Sequence, residues 1–132
     1  MSGKPGGSTS IQEVHATKSS RREFTPVDVP AAKLSTYITG PIDLMKMDIE
    51  GGEGIVLGEL VESGKLKLIR EMVFEYHYNP SNEQNKLSYI VNVLEENDFS
   101  LVIFGADARS SSEILKSKDA YHFMIRAYQQ NK

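Results

Sequence analysis

The chain has 132 residues, 39% apolar and 25% charged, the mix of one ordinary globular domain with no room for two. Fifteen basic against eighteen acidic side chains leave a net charge of −3, so nucleic acid is not expected as a partner. There is no cysteine, which removes disulfides, cysteine–zinc sites and thiol nucleophiles, and no apolar stretch approaches the roughly 20 residues of a spanning helix or forms a leader, so a cytoplasmic protein without a membrane partner is expected.

Met1–Ser10 holds three glycines, three serines and a proline and reads as the start of a flexible lead-in over residues 1–23. Within it Ile11, Val14 and Ala16 allow a short strand, and Lys18–Arg22 reads as a solvated polar turn. Residues 24–132 are the folded part. Val27 and Val29 flank Asp28 as a short strand, and Pro30 opens a helix with Ala31, Leu34, Tyr37 and Ile38 as its apolar stripe, stopped by Gly40-Pro41.

The run Ile42–Glu50 alternates with period two, which predicts a strand. Leu44, Lys46, Asp48 and Glu50 fall on one side, and Met45, Met47 and Ile49 on the other. A helix follows over Glu53–Ser63, with Val56, Leu57, Leu60 and Val61 inward and Gly64 as its stop. A second strand runs Met72–Tyr78. Ser81 and Gln84 form a capping box for a helix marked by Leu87, Ile90, Val91 and Leu94, ending near Glu96. Phe99–Phe104 is solidly apolar, as a strand in a sheet interior would be. A long polar loop follows, with a helical turn around Ile114 and Leu115, and Tyr121–Tyr128 is the last strand. Strands alternating with helices predict an α/β fold, its sheet mostly parallel with an antiparallel last strand.

In such sheets ligands bind beyond the carboxyl ends of the strands. Two of those ends carry polar residues at every other position: Lys46, Asp48 and Glu50, with Glu53 following, and Glu75, His77 and Asn79. Adjacent parallel strands would bring the two rows together, with Lys46 pairing to Asp48 or Glu75. Strand ends also meet water, so Glu50 and Glu53 alone carry little weight. Lys46 and Asp48, set among Leu44, Met45, Met47 and Ile49, point to function. Asp48, Glu50 and His77 are donor types that metals accept, yet spacing fixes no geometry, and no metal is expected. His15 and His122 have no partner at ligand spacing.

The segment Asp43-Leu44-Met45-Lys46-Met47-Asp48-Ile49-Glu50-Gly51-Gly52-Glu53 resembles the signature of FkbM-type methyltransferases, typically Asp-Leu-Leu-Lys-Ile-Asp-hydrophobic-Glu-Gly-Ala-Glu, with Gly52 replacing alanine. The resemblance spans about residues 24–104. It implies S-adenosylmethionine-dependent O-methylation of a small-molecule hydroxyl, on a sugar or secondary metabolite. The fold it implies is a Rossmann-like, class I methyltransferase-type sheet of seven strands with helices on both faces. By position Asp48 and Glu50 would close the fourth strand and His77 the fifth, and with Lys46 they are the expected catalytic residues. Glu53, Glu75 and Asn79 are further site candidates. The family's Asp-x-Gly-Ala-Asn turn, which places the cofactor, has no counterpart in this sequence. The chain therefore reads as the carboxyl-terminal half of the domain, inactive alone, with its cofactor-binding residues unassigned. The Ile42–Glu50 strand would then be an open edge, its Leu44, Met45, Met47 and Ile49 uncovered, and would pair with a second copy or a complementing chain. The other readings are a non-enzymatic α/β module that binds a partner through that edge, and a small metal-dependent hydrolase built on Asp48, Glu50 and His77.

Overall fold

A computed structural model describes residues 25–79, 82–105, 109, 111–116 and 121–130. The chain divides into two compact units, residues 1–32 and 33–132. In the first, the described residues 25–32 form neither helix nor strand. Val27 and Val29 are 77% and 75% exposed, which corrects the strand expected there: alternation without a face to bury does not hold a strand. The strand at Ile11–Ala16, the turn at Lys18–Arg22 and Ser81 of the capping box lie outside the described residues.

In the second unit the proline-led helix shrinks to a single 3-10 turn, Leu34–Tyr37, with no side-chain cap. There follow β1 (Ile42–Met47), α1 (Glu53–Glu62), β2 (Ile69–Tyr78), α2 (Leu87–Glu96), β3 (Phe99–Gly105), α3 (Ser111–Lys116) and β4 (Tyr121–Gln129). The strands lie in the order β1-β2-β4-β3. β1 and β2 are parallel, and β4 is antiparallel to both of its neighbours. The last strand is antiparallel, as the sequence implies, but it inserts between β2 and β3, so two of the three ladders are antiparallel and the expected mostly parallel sheet is not formed.

Register fixes the two faces. Met45, Met72, Ala127 and Leu101 form one row across the sheet, and Met47, Phe74, Ile125 and Ile103 the next. Leu57 and Leu60 of α1 and Ile90, Val93 and Leu94 of α2 join this same side in one core. Burying each of these large side chains contributes about 1.5–3 kcal/mol. Helices on both faces were expected; instead α1 and α2 share one. The reason is handedness: β1→β2 and β2→β3 step across the sheet in the same direction, and right-handed crossovers then put both helices on the same side. The opposite face carries Lys46, Val73, Arg126 and Val102 in one row, with Glu71 bound to Arg126.

Two further expectations change. β3 is an edge strand rather than interior, and Val102, Ile103 and Phe104 are 57%, 42% and 46% exposed. β1 is the other edge, as expected, but only Leu44 and Ile49 are exposed; Met47 is buried and Met45 packs against the core. Among the described residues no helix is long and apolar enough to cross a membrane.

Candidate functional site

β1 ends at Met47, so Asp48 and Glu50 leave the sheet into a turn. Glu50 has φ +53° and Gly51 φ +100°. The left-handed conformation costs a non-glycine residue about 1–2 kcal/mol, and bonds around the turn hold it. The Asn82 side-chain amide donates to the Gly51 carbonyl at 3.1 Å, and the Gly52 N–H donates to the Ile49 carbonyl at 3.2 Å.

Glu53, the first residue of α1, is fully buried. A carboxylate removed from water is costly unless it is paired and hydrogen-bonded. Its Oε1 accepts from the Gly51 N–H at 3.1 Å and from His77 Nδ1 at 3.0 Å. Its Oε2 accepts from the Asn85 amide at 2.7 Å. Asn85, buried as well, donates further to the His77 carbonyl at 3.1 Å and accepts from the Gly54 N–H at 2.7 Å. Its main-chain carbonyl takes the Tyr76 hydroxyl at 2.5 Å. Burial, and next the Glu53 carboxylate nearby, push the Tyr76 phenol well above its ordinary range. Among the described residues every buried side-chain polar atom has a partner. Asn85 carries no chemical signature in the sequence; the fold makes it the link between α1 and β2.

Glu53 also sets His77. As a carboxylate it can only accept, so the ring places a proton on Nδ1 and turns Nε2 outward. Nε2 lies 3.3 Å from Glu50 Oε2 and 3.9 Å from Glu75 Oε1. Asp48 joins them: one ligand atom each from Asp48, Glu50 and His77 lie within 4.8 Å of one another. Lys46 Nζ lies 3.9 Å from Asp48 Oδ2, and that pair is exposed and energetically minor. Of the two pairings weighed for Lys46, the structure thus forms the one to Asp48. The Asn79 carbonyl accepts from the Asn82 N–H at 2.9 Å. His122, without a visible partner in the sequence, sits opposite His77 in the β2–β4 register and bonds Glu75 through Nε2 at 3.3 Å. Only the long-range strand pairing reveals it. A broad depression of about 520 Å³, lined by Arg70, Glu71, Val102, Arg126, Tyr128 and Gln129, starts at the opposite end of β2 and does not include this cluster.

Fold and site define an α/β domain whose polar cluster stands at the carboxyl ends of two adjacent parallel strands, where open α/β sheets bind ligands. The family model described as the methyltransferase FkbM domain matches residues 2–101, about three quarters of the chain. The chain belongs to the FkbM methyltransferase domain family. Comparison with curated proteins gave no match, and comparison with solved structures gave none either.

Proposed function

We propose that the chain serves S-adenosylmethionine-dependent O-methyl transfer to a hydroxyl of a sugar or secondary metabolite, with Asp48, Glu50 and His77 receiving the hydroxyl and its proton. One observation carries this reading: the signature pair Asp48 and Glu50 meets His77 at the ends of adjacent parallel strands. The strands are read as part of a Rossmann-like sheet. With Nδ1 already protonated toward Glu53, Nε2 is the nitrogen that can take a proton from a hydroxyl. The imidazolium so formed stands between Glu53 and Glu50, each on one ring nitrogen. Lys46 and Glu75 are at hand to balance charge.

The glycines of the turn after β1 have no N–H to spare for S-adenosylmethionine. The N–H groups of Gly51, Gly52 and Gly54 donate to Glu53, Ile49 and Asn85, so the glycine turn braces the site instead of holding a cofactor. S-adenosylmethionine is instead held by a complementing chain, this chain supplying the acceptor side of the site. The open edge of β1, with Leu44 57% exposed, favours such a partner pairing along that strand.

The test is labelled methyl transfer to a panel of polyhydroxylated acceptors, run with candidate partner chains. Asp48→Asn loses transfer while its unfolding curve stays that of the parent. Transfer retained at parental rate refutes the site assignment. Saturable micromolar binding of S-adenosylmethionine by this chain alone refutes its assignment to a complementing chain.

A further inference from the structure

We propose that Asp48, Glu50 and His77 form a binding site for a divalent transition cation of the Mn²⁺ or Zn²⁺ type, with Glu53 as its orienting residue. Spacing in the sequence leaves such a site without geometry. The fold supplies it.

The first support is distance. One donor atom from each of the three lies within 4.8 Å of the others. A cation bonded at about 2.0–2.2 Å to each needs them roughly 3–4 Å apart. Closing that small gap falls to Asp48 and Glu50, whose side chains are 38% and 66% exposed, while the imidazole stays fixed.

The second support comes from outside the trio. Glu53 is fully buried and accepts a hydrogen bond from the Nδ1–H of His77. Nε2 then presents its lone pair to a carboxylate oxygen of Glu50 at 3.3 Å. Two electron-rich atoms at that separation call for a positive species between them, either a second ring proton or a metal. A histidine whose far nitrogen donates to a buried carboxylate is the arrangement that tunes and orients imidazole ligands. Glu53 is itself immobilised by Gly51 and Asn85, so the orientation is built into the fold.

Ligand type sets the class of ion. Two carboxylates with one imidazole suit Mn²⁺ or Zn²⁺ better than all-oxygen Mg²⁺ or Ca²⁺. The Lys46 ammonium competes for Asp48 but is 70% exposed and free to swing into water. Glu75 is engaged with His122. Three protein ligands leave coordination positions facing solvent, where an oxygen of a small molecule can bind.

With a cation on Nε2 that nitrogen cannot also take a hydroxyl proton, so the metal-bound and proton-accepting forms are alternative states of one site. The inference concerns binding alone and is tested without donor or acceptor. Mn²⁺ is titrated into the full chain, and the free ion is counted by electron paramagnetic resonance. One site per chain is expected. Asp48→Asn and His77→Gln each weaken it roughly tenfold or more, and Glu53→Gln weakens it by about 10–100-fold through lost ring orientation. Asp43→Asn, at the start of β1 beside Arg70, leaves it unchanged. Circular dichroism checks the fold of each variant. Should Glu53→Gln unfold, the exposed Asp48→Asn still decides. No saturable site, or a folded Asp48→Asn or His77→Gln chain that binds as tightly as the parent, overturns the assignment.

Discussion

Gly54 is the position where one added methyl group should do most harm. A Cβ built there meets the Gln84 carbonyl oxygen at 2.3 Å and Asn85 Oδ1 at 3.2 Å. The backbone of 83–85 must therefore retreat by roughly 0.7 Å to reach even a tight contact. Such overpacking typically costs about 1–3 kcal/mol. The retreat also draws Asn85 from Glu53, and a buried carboxylate short of a partner costs about 1–3 kcal/mol more. Replacing glycine by alanine within a helix returns up to about 1 kcal/mol. Gly54→Ala should thus lose about 1–6 kcal/mol net, lowering the urea midpoint by on the order of 1 M. Gly58, one turn on in α1, is the internal control. Its Cβ would lie 2.8 Å from the Tyr89 hydroxyl, the far end of a side chain 42% exposed. Tyr89 can swing aside, so Gly58→Ala should be neutral or up to about 1 kcal/mol stabilising. Equilibrium urea unfolding followed by far-ultraviolet circular dichroism compares the two. Coincident curves for the two variants would refute the account of how α1 docks on 83–85.

Asn85→Ala leaves Glu53 Oε2 and the Gly54 N–H without their partners, and should cost about 2–4 kcal/mol, lowering the melting temperature by about 10 °C or more. A change of only a degree or two would show that Asn85 is not the link described. Tyr76 gives the pH dependence. Because its phenol is raised in the folded chain, the folded form holds its proton at a pH where the unfolded chain releases it. Stability is therefore full below about pH 10 and falls above it, by up to about 1.4 kcal/mol per pH unit. Tyr76→Phe should lose about 1 kcal/mol at neutral pH, from the bond to the Asn85 carbonyl, while flattening that alkaline slope. Urea unfolding of both chains at pH 7, 10 and 11 checks it.

Local patterns in the sequence were good guides where one residue answers to its neighbours. The alternation from Ile42 to Glu50 marks a strand, although β1 stops at Met47 because Glu50 and Gly51 take left-handed backbone angles. Gly64 ends α1 as read: the Lys65 N–H bonds the Leu60 carbonyl and the Gly64 N–H that of Val61, the closing pattern glycine permits. β2 begins at Ile69, earlier than the pattern around Arg70 and Glu71 suggests, because pairing with β1 and β4 extends it. What distant contacts decide was not legible. Glu53 looks like an ordinary first-turn glutamate that faces water; its burial follows from the docking of 83–85. The partnership of Glu75 with His122 needs β4 beside β2, and nothing local announces that insertion.

That insertion has a consequence for how the molecule comes into being. β2 and β3 have no ladder with each other; each is zipped to β4, the latest of the four strands along the chain. Without Tyr121–Gln129 the ladder that remains is the parallel β1–β2 pair alone, with β3 a solitary apolar strand. The sheet closes from its middle, and it closes last. Assembly of this kind waits on contacts between distant parts of the chain, which slows folding and prolongs exposure of sticky intermediates. Shortening the chain by its final strand would thus split the sheet in two rather than trim its rim.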